Sequence, residues 1–267
     1  MAIWTFHSLL WGKASTRWPF HDGDPGQEGV LGLPRYRPER VTAETARACA
    51  EACPTEAIRM VEDSEGVRLA VDYGRCIACQ RCVEAAPDGP MEESHDWAFA
   101  VRFRDTLATD PEPREPPAMN AAPNRRYRRS LHIRHVDAGS CNGCESELQA
   151  LGNPFYNLHR LGIFFTPSPR FADVLLVTGP VTPAMKAPLL ETWEAMPGPK
   201  WVVATGACAV SGGIMAGGYA GGRGVEEWLP VDVHIPGCPP NPAAIIQGLL
   251  LLQGRLSQHV HGGRYGD

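Results

Sequence analysis

Nine cysteines in 267 residues carry the chemistry this chain can be expected to do: Cys49, Cys53, Cys76, Cys79, Cys82, Cys141, Cys144, Cys208 and Cys238. The first 20 residues do not read as a secretory leader, because Trp4, His7, Trp11 and Lys13 interrupt any apolar run. Without secretion, clustered cysteines are expected to bind metal rather than to pair as disulfides. Their spacing says which metal chemistry. The run Cys76-x2-Cys79-x2-Cys82, with a remote Cys53-Pro54, fits the bacterial ferredoxin arrangement, in which the cysteine before proline serves the other cluster.

The same template fits twice. Ala43 to Ile58 aligns with Cys76 to Met91 at an offset of 33, as expected for a pseudo-twofold ferredoxin fold. The crossover then separates a complete ligand set from an incomplete one. Cys53, Cys76, Cys79 and Cys82 make four thiolates for one [4Fe–4S] cluster. Ala43, Ala46, Cys49 and Ala86 leave one thiolate of four, and one cannot hold a cube. A single cluster is expected in this half, with Cys49 a buried free thiol. Zinc is the other reading, but zinc sites more often pair two CxxC knuckles.

The remaining four cysteines lie after short apolar segments. Cys141 and Cys144 follow a β-like run at Ser130 to Val136. Cys208 follows Trp201 to Thr205, and Cys238 follows Val231 to Ile235. With Val174 to Thr178 and helical stretches at Glu145 to Leu151 and from Pro242 to about Leu256, these runs predict a parallel α/β sheet. Loops at the carboxyl ends of parallel strands converge, so four thiolates there can enclose a second [4Fe–4S] cluster. Gly139, Gly143, Gly206 and Gly237 leave room for close backbone approach.

These elements give an α/β chain with a ferredoxin-like α+β domain over 1–105, a Pro-rich linker over 106–127 and a flavodoxin-like parallel α/β domain over 128–267. The linker reading rests on DPEPREPPAMNAAP, Asp110 to Pro123. Formal net charge is -5, so nothing points to nucleic acid. No apolar run reaches the roughly 18 residues of a membrane span. The glycine-rich stretch Gly212 to Gly224 lacks a phosphate-loop pattern and is expected to shape a loop beside the cluster or a partner. Arg125, Arg126, Arg128 and Arg129 are read as a partner-facing basic patch. His132, His135 and His234 are read as structural. No Ser/His/Asp or paired-carboxylate constellation supports chemistry on an organic substrate.

Three ordered motifs, SCNGCESE, TGACAVSGG and VDVHIPGCPPNP, resemble the small subunit of group 4 [NiFe] hydrogenases of the formate hydrogenlyase type. They are also similar to the complex I 20 kDa subunit that carries its last cluster. The resemblance spans about Leu131 to Leu256. Complex I has two adjacent cysteines at the first motif, whereas this chain has the C-x2-C hydrogenase form. The resemblance implies an electron-transfer subunit, not catalytic alone. It would pass electrons through two [4Fe–4S] clusters to or from a hydrogenase or complex-I-like large subunit. It further implies membrane-arm subunits, an additional ferredoxin-like electron donor and peripheral attachment at the cytoplasmic face of the inner membrane. Residues 3–20 resemble the leader of the ferredoxin-like subunit of such complexes, which would dock on the membrane arm or pack on a partner. Glu147, in C-x-G-C-x-x-E, is the candidate for proton transfer or interface bonding, or else a helix-start carboxylate favoured by the dipole. Two other readings stand beside this one: a quinone-reducing complex-I-like assembly, and a non-redox zinc scaffold.

Overall fold

The computed structural model describes residues 32–64, 66–110, 127 and 129–258. The docking segment expected at the N-terminus and Arg125, Arg126 and Arg128 of the basic patch lie outside the described residues, as do 111–126 of the linker.

The first half is built from two short antiparallel pairs and two helices. β1 (Arg35–Tyr36) pairs with β4 (Met91–Glu92), and β2 (Ile58–Asp63) with β3 (Gly66–Val71). Helix α1 (Ala43–Ala52) starts where Thr42 and Thr45 exchange side-chain-to-backbone hydrogen bonds, a reciprocal cap that satisfies two otherwise free N–H groups. Helix α2 is short (Arg81–Ala85). The two helices touch at positions related by the offset of 33: the Cys49 thiol on α1 donates to the Cys82 carbonyl on α2 at 3.4 Å. The hydrogen bonding of this half continues past residue 105, because Ala108 bridges Asp72 and the Thr109 N–H donates to the Val71 carbonyl.

The second half forms one five-stranded sheet, all of it parallel: β5 (Leu131–Asp137), β6 (Ile163–Phe165), β7 (Val174–Thr178), β8 (Trp201–Thr205) and β9 (Val233–Ile235). The spatial order β6-β5-β7-β8-β9 is the flavodoxin-like order. Its switch point lies between β5 and β7, directly above the Cys141 loop. Strand residues alternate between two buried faces. Val174, Leu176 and Val203 share a core with Ile245, Ile246 and Leu249 of helix α6 (Pro242–Leu252). Leu175, Val177 and Val202 share the other core with Leu189 of helix α4 (Pro183–Ala195). Helices α3 (Gly143–Ala150) and α5 (Ala207–Ser211) each begin at a cysteine loop.

The two halves pack as one. A continuous apolar core runs from Leu33, Tyr73, Phe99, Val101 and Leu107 into Val177, Val202 and Val225. Val101 pairs with His234 of β9 through two backbone hydrogen bonds of 3.0 and 2.8 Å, covering that edge of the sheet. Every residue of α6 is buried, because the segment before Val101 lies over it: the Ala100 N–H donates to Gln247 Oε1 at 3.1 Å.

Candidate metal centres

Four thiols line one cavity in the first half. Cys53, at the end of α1, meets Cys76, Cys79 and Cys82 in a space walled by Pro34, Ile58, Val71, Tyr73 and Met91, about 400 Å³ counting its open mouth. Cys49 does not line it. Between the ligands, Ala78 (φ 54°) and Gln80 (φ 60°) adopt the left-handed conformation that side chains other than glycine rarely take. That turn aims the Ala78 N–H at Cys76 Sγ, 3.4 Å away. Burial and then the neighbouring thiols push Cys76 and Cys82 up to about 12. An anion is therefore disfavoured here unless a cationic core compensates it, which is what an iron–sulfur cluster would supply.

The positions that the internal repeat sets opposite this ligand set are packed in the core. Ala46, Cys49 and Ala86 are all buried in the apolar core with Leu33, Ile58 and Leu69. Burial alone raises the Cys49 thiol, so it stays protonated and inert.

The other four cysteines gather at the carboxyl edge of the large sheet. Beyond β5, Asp137 Oδ1 accepts from the N–H groups of Gly139 and Ser140, at 2.8 and 2.7 Å, turning the chain toward Cys141. Asn142 (φ 67°) then sets the start of α3, so Cys144 sits in its first turn. Beyond β8 and β9 the two loops are tied together: Gly206 N–H donates to the Ile235 carbonyl and Ala207 N–H to the Gly237 carbonyl, both at 2.8 Å. A Cβ on Gly206 would come 2.6 Å from Cys144 Sγ, and one on Gly213 would come 3.0 Å from Cys208 Sγ. The ligand loops of β5 and β8 thus interlock at Gly206 only because that residue is glycine, and Gly213 makes room for Cys208 within the β8 loop itself. Burial, followed by neighbouring charges that include the other three cysteines, raises Cys144 well above the usual thiol range. Cys208 is pushed up to about 11, first by burial and then by Cys238 and Cys141.

Among the described residues, no three His, Cys, Asp or Glu side chains are gathered closely enough for a single ion. Zinc would hold its thiolates about 3.8 Å apart, given Zn–S bonds of about 2.3 Å. A [4Fe–4S] cube instead offers a separate iron to each of four thiolates.

Glu147 is half-buried on α3, and burial raises its carboxyl. The residue that spacing did not single out is its neighbour Glu145. Ser140 Oγ donates to Glu145 Oε2 at 2.6 Å, Thr178 Oγ1 donates to Glu145 Oε1, and His135 Nε2 lies 2.9 Å from Thr178 Oγ1. The only local signal was a carboxylate directly after Cys144. His135, read as structural, belongs to this group. His132 stacks on Phe164 at 5.6 Å, and His234 is buried under the Val101 pairing. In the glycine-rich loop, Ile214, Met215 and Tyr219 are exposed next to Cys208, and Gly222 N–H ties the loop to the Pro180 carbonyl.

Residues 141–252 match the family described as NADH ubiquinone oxidoreductase, 20 kDa subunit, and residues 45–89 match a 4Fe-4S dicluster domain. The chain is 44% identical over 150 residues to formate hydrogenlyase subunit 7 of Escherichia coli K12, covering 56% of this chain and 59% of that relative's length. It is 50% identical over 123 residues to an uncharacterized protein of Methanocaldococcus jannaschii, covering 46% of this chain and 82% of that protein. Among solved structures, a chain of the membrane-bound sulfane sulfur reductase, an archaeal respiratory membrane complex, is similar at 38% identity. That match has a TM-score of 0.44 and covers 48% of this chain and 71% of the other.

Proposed function

Because the chain belongs, through residues 141–252, to the family of the NADH ubiquinone oxidoreductase 20 kDa subunit, we propose that it relays electrons for a membrane-associated [NiFe] hydrogenase complex. Two [4Fe–4S] clusters, each a one-electron carrier, would be held by Cys53, Cys76, Cys79 and Cys82 and by Cys141, Cys144, Cys208 and Cys238. The observation that carries this reading is the grouping of thiols. One set of four lines a single cavity, the other set is brought together by three strand ends, and the third position is packed with Ala46, Cys49 and Ala86.

The protein's part is positioning. The first set would belong to a module over 1–105, joined by a linker over 106–127 to the module over 128–267. Ser211 on α5, just past Cys208, donates to the carbonyl of Gly74, just before Cys76, at 2.8 Å. The two ligand loops are therefore in direct contact, as a relay needs. Exposed Cys141 and Cys238, with Ile214 and Met215, suit a face covered by a large subunit. Membrane-arm subunits and a ferredoxin-like donor would complete the assembly. Among the described residues no helix is long and apolar enough to cross a membrane, so attachment at the cytoplasmic face of the inner membrane would be peripheral, through partners. Glu147, half-buried one turn into α3, would serve proton transfer or hydrogen bonding at the large-subunit face.

The family's own description favours one other reading, a quinone-reducing large subunit. The C-x2-C spacing at Cys141 and Cys144 and the formate hydrogenlyase relative favour the hydrogenase. The test is purification of the native complex, with iron and sulfide counting, EPR of the reduced state and identification of the large subunit. About eight irons per chain and two reducible clusters are expected. A large subunit with two CxxC pairs supports the hydrogenase reading, and one without them supports quinone chemistry. Bound zinc with no reducible cluster overturns both.

A further inference from the structure

Glu145 is hydrogen-bonded more heavily than a helix-start carboxylate needs. Oε2 accepts from Ser140 Oγ at 2.6 Å, and Oε1 accepts from Thr178 Oγ1. Each hydroxyl has one proton, and both protons are spent on the carboxylate. The hydroxyl oxygens must then accept from elsewhere, and they do. Ser140 Oγ accepts the N–H of Asn142 at 3.1 Å, and Thr178 Oγ1 is 2.9 Å from His135 Nε2, which therefore carries a proton in this network. His135 Nε2 is also 3.4 Å from Glu145 Oε1. All the donors point toward one group that only accepts, which is the bonding pattern of an ionised carboxylate.

The location makes this unexpected. The Glu145 side chain is 15% exposed, and the next residue toward the N-terminus is Cys144. A part-buried anion beside four thiolates adds repulsion to a site already crowded with negative charge. Simple capping of α3 does not explain it, since the N-cap Asn142 makes no side-chain cap and Glu145 is bonded to the sheet instead. What the bonds achieve is mechanical: Thr178 and His135 sit on β7 and β5, Ser140 and Asn142 in the ligand loop, and Glu145 joins them.

We propose that Glu145 is the positioning residue of the second cluster site, anchoring the Ser140–Cys144 ligand loop to the sheet and placing a fixed negative charge beside Cys144 that lowers the potential of that cluster. This rests on the two-cluster reading above. Adding one electron makes the cluster more negative, so a fixed anion nearby disfavours reduction, and partial burial strengthens the effect.

The test compares the full chain in its complex with Glu145→Gln, Glu145→Asp and Thr178→Val. The readouts are EPR redox titration of both clusters and the rate of iron loss to a chelator. The amide of Glu145→Gln removes the charge, and its single oxygen cannot accept from both hydroxyls as the carboxylate does. The second midpoint should move to a more positive value, the first should stay, and iron should leave the second site several-fold faster. Glu145→Asp should return the midpoint toward that of the parent. Thr178→Val keeps the anion but cuts one anchor, so it should speed iron loss with a smaller midpoint change. It also decides the matter should Glu145→Gln fail to hold the cluster. An unmoved second midpoint in Glu145→Gln, a midpoint in Glu145→Asp that stays with the amide, or parent-like iron loss in Thr178→Val overturns the proposal. A parent with about four irons instead of about eight is a separate result: it removes the second cluster, and this assignment with it.

Discussion

At the residue scale, Gly206 is a position where the second site has little tolerance. Its φ of 91° suits glycine, and an added Cβ would stand 2.6 Å from Cys144 Sγ with backbone and Pro240 behind it. Gly206→Ala is therefore expected to expel the second cluster and spare the first. Iron should fall by about half, with one EPR signal kept. Retention of both signals would refute the interlocked geometry. Cys49 makes the opposite prediction. It is fully buried, its thiol donates to the Cys82 carbonyl, and it does not line the cavity of Cys53, Cys76, Cys79 and Cys82. Cys49→Ala should leave iron content unchanged and cost about 1–2 kcal/mol of stability for the small void and the lost hydrogen bond. Iron lost in that variant would assign Cys49 to a cluster.

At the scale of elements, β5 carries both a core face and the polar group beneath the ligand loop. Leu131, Ile133 and Val136 are buried, while His135 reaches Thr178 and Glu145 on the polar side. Burial lowers the His135 pKa against the opposing pull of Glu145 and Asp137, and Arg134 adds to the lowering. The charged ring is thus disfavoured in the folded chain relative to the unfolded one, whose histidine titrates near 6.5. Below about pH 6.5 the unfolded chain binds the extra proton, so this contribution to stability is present above that pH. It is lost as pH falls from there toward the lowered folded-state value. Thermal unfolding followed between about pH 5 and 8 should show this slope, and His135→Gln should flatten it. An equal slope in the variant would place the titration elsewhere.

At the scale of the whole molecule, the two halves are joined by a few long-range bonds laid over a shared core. Val101 pairs with His234, and Arg102 Nη2 donates to the Leu251 and Leu252 carbonyls at 2.9 and 3.3 Å, filling acceptors that the end of α6 leaves open. Ser211 adds its bond to Gly74. Val101→Pro removes the N–H that donates to His234 and leaves a buried carbonyl short of its partner, a cost of about 1–3 kcal/mol. Calorimetry should then show the unfolding transition broadening or splitting as the halves uncouple, with iron content retained. A single unshifted transition would mean that the shared apolar core alone holds the halves together.

The cysteine spacing and the alternation of apolar strands with helices were legible in the sequence because they are local. A C-x2-C turn and a five-residue apolar run such as Val174–Thr178 or Trp201–Thr205 are recognisable from adjacent residues alone. That Cys53 shares a cavity with Cys76, Cys79 and Cys82 was readable for a related reason, since an internal repeat repeats its geometry. β6, with three residues, and α4, which carries Pro188 in its interior, lacked a periodic signal. What tertiary structure alone decided is which distant polar groups meet. Glu145 finds Thr178 across 33 positions, and Ala100 finds Gln247 across 147. Such pairings arise only after parallel strands have stacked in register, because the apolar core sets strand order first and the polar groups at its edges must bond whatever that order brings beside them.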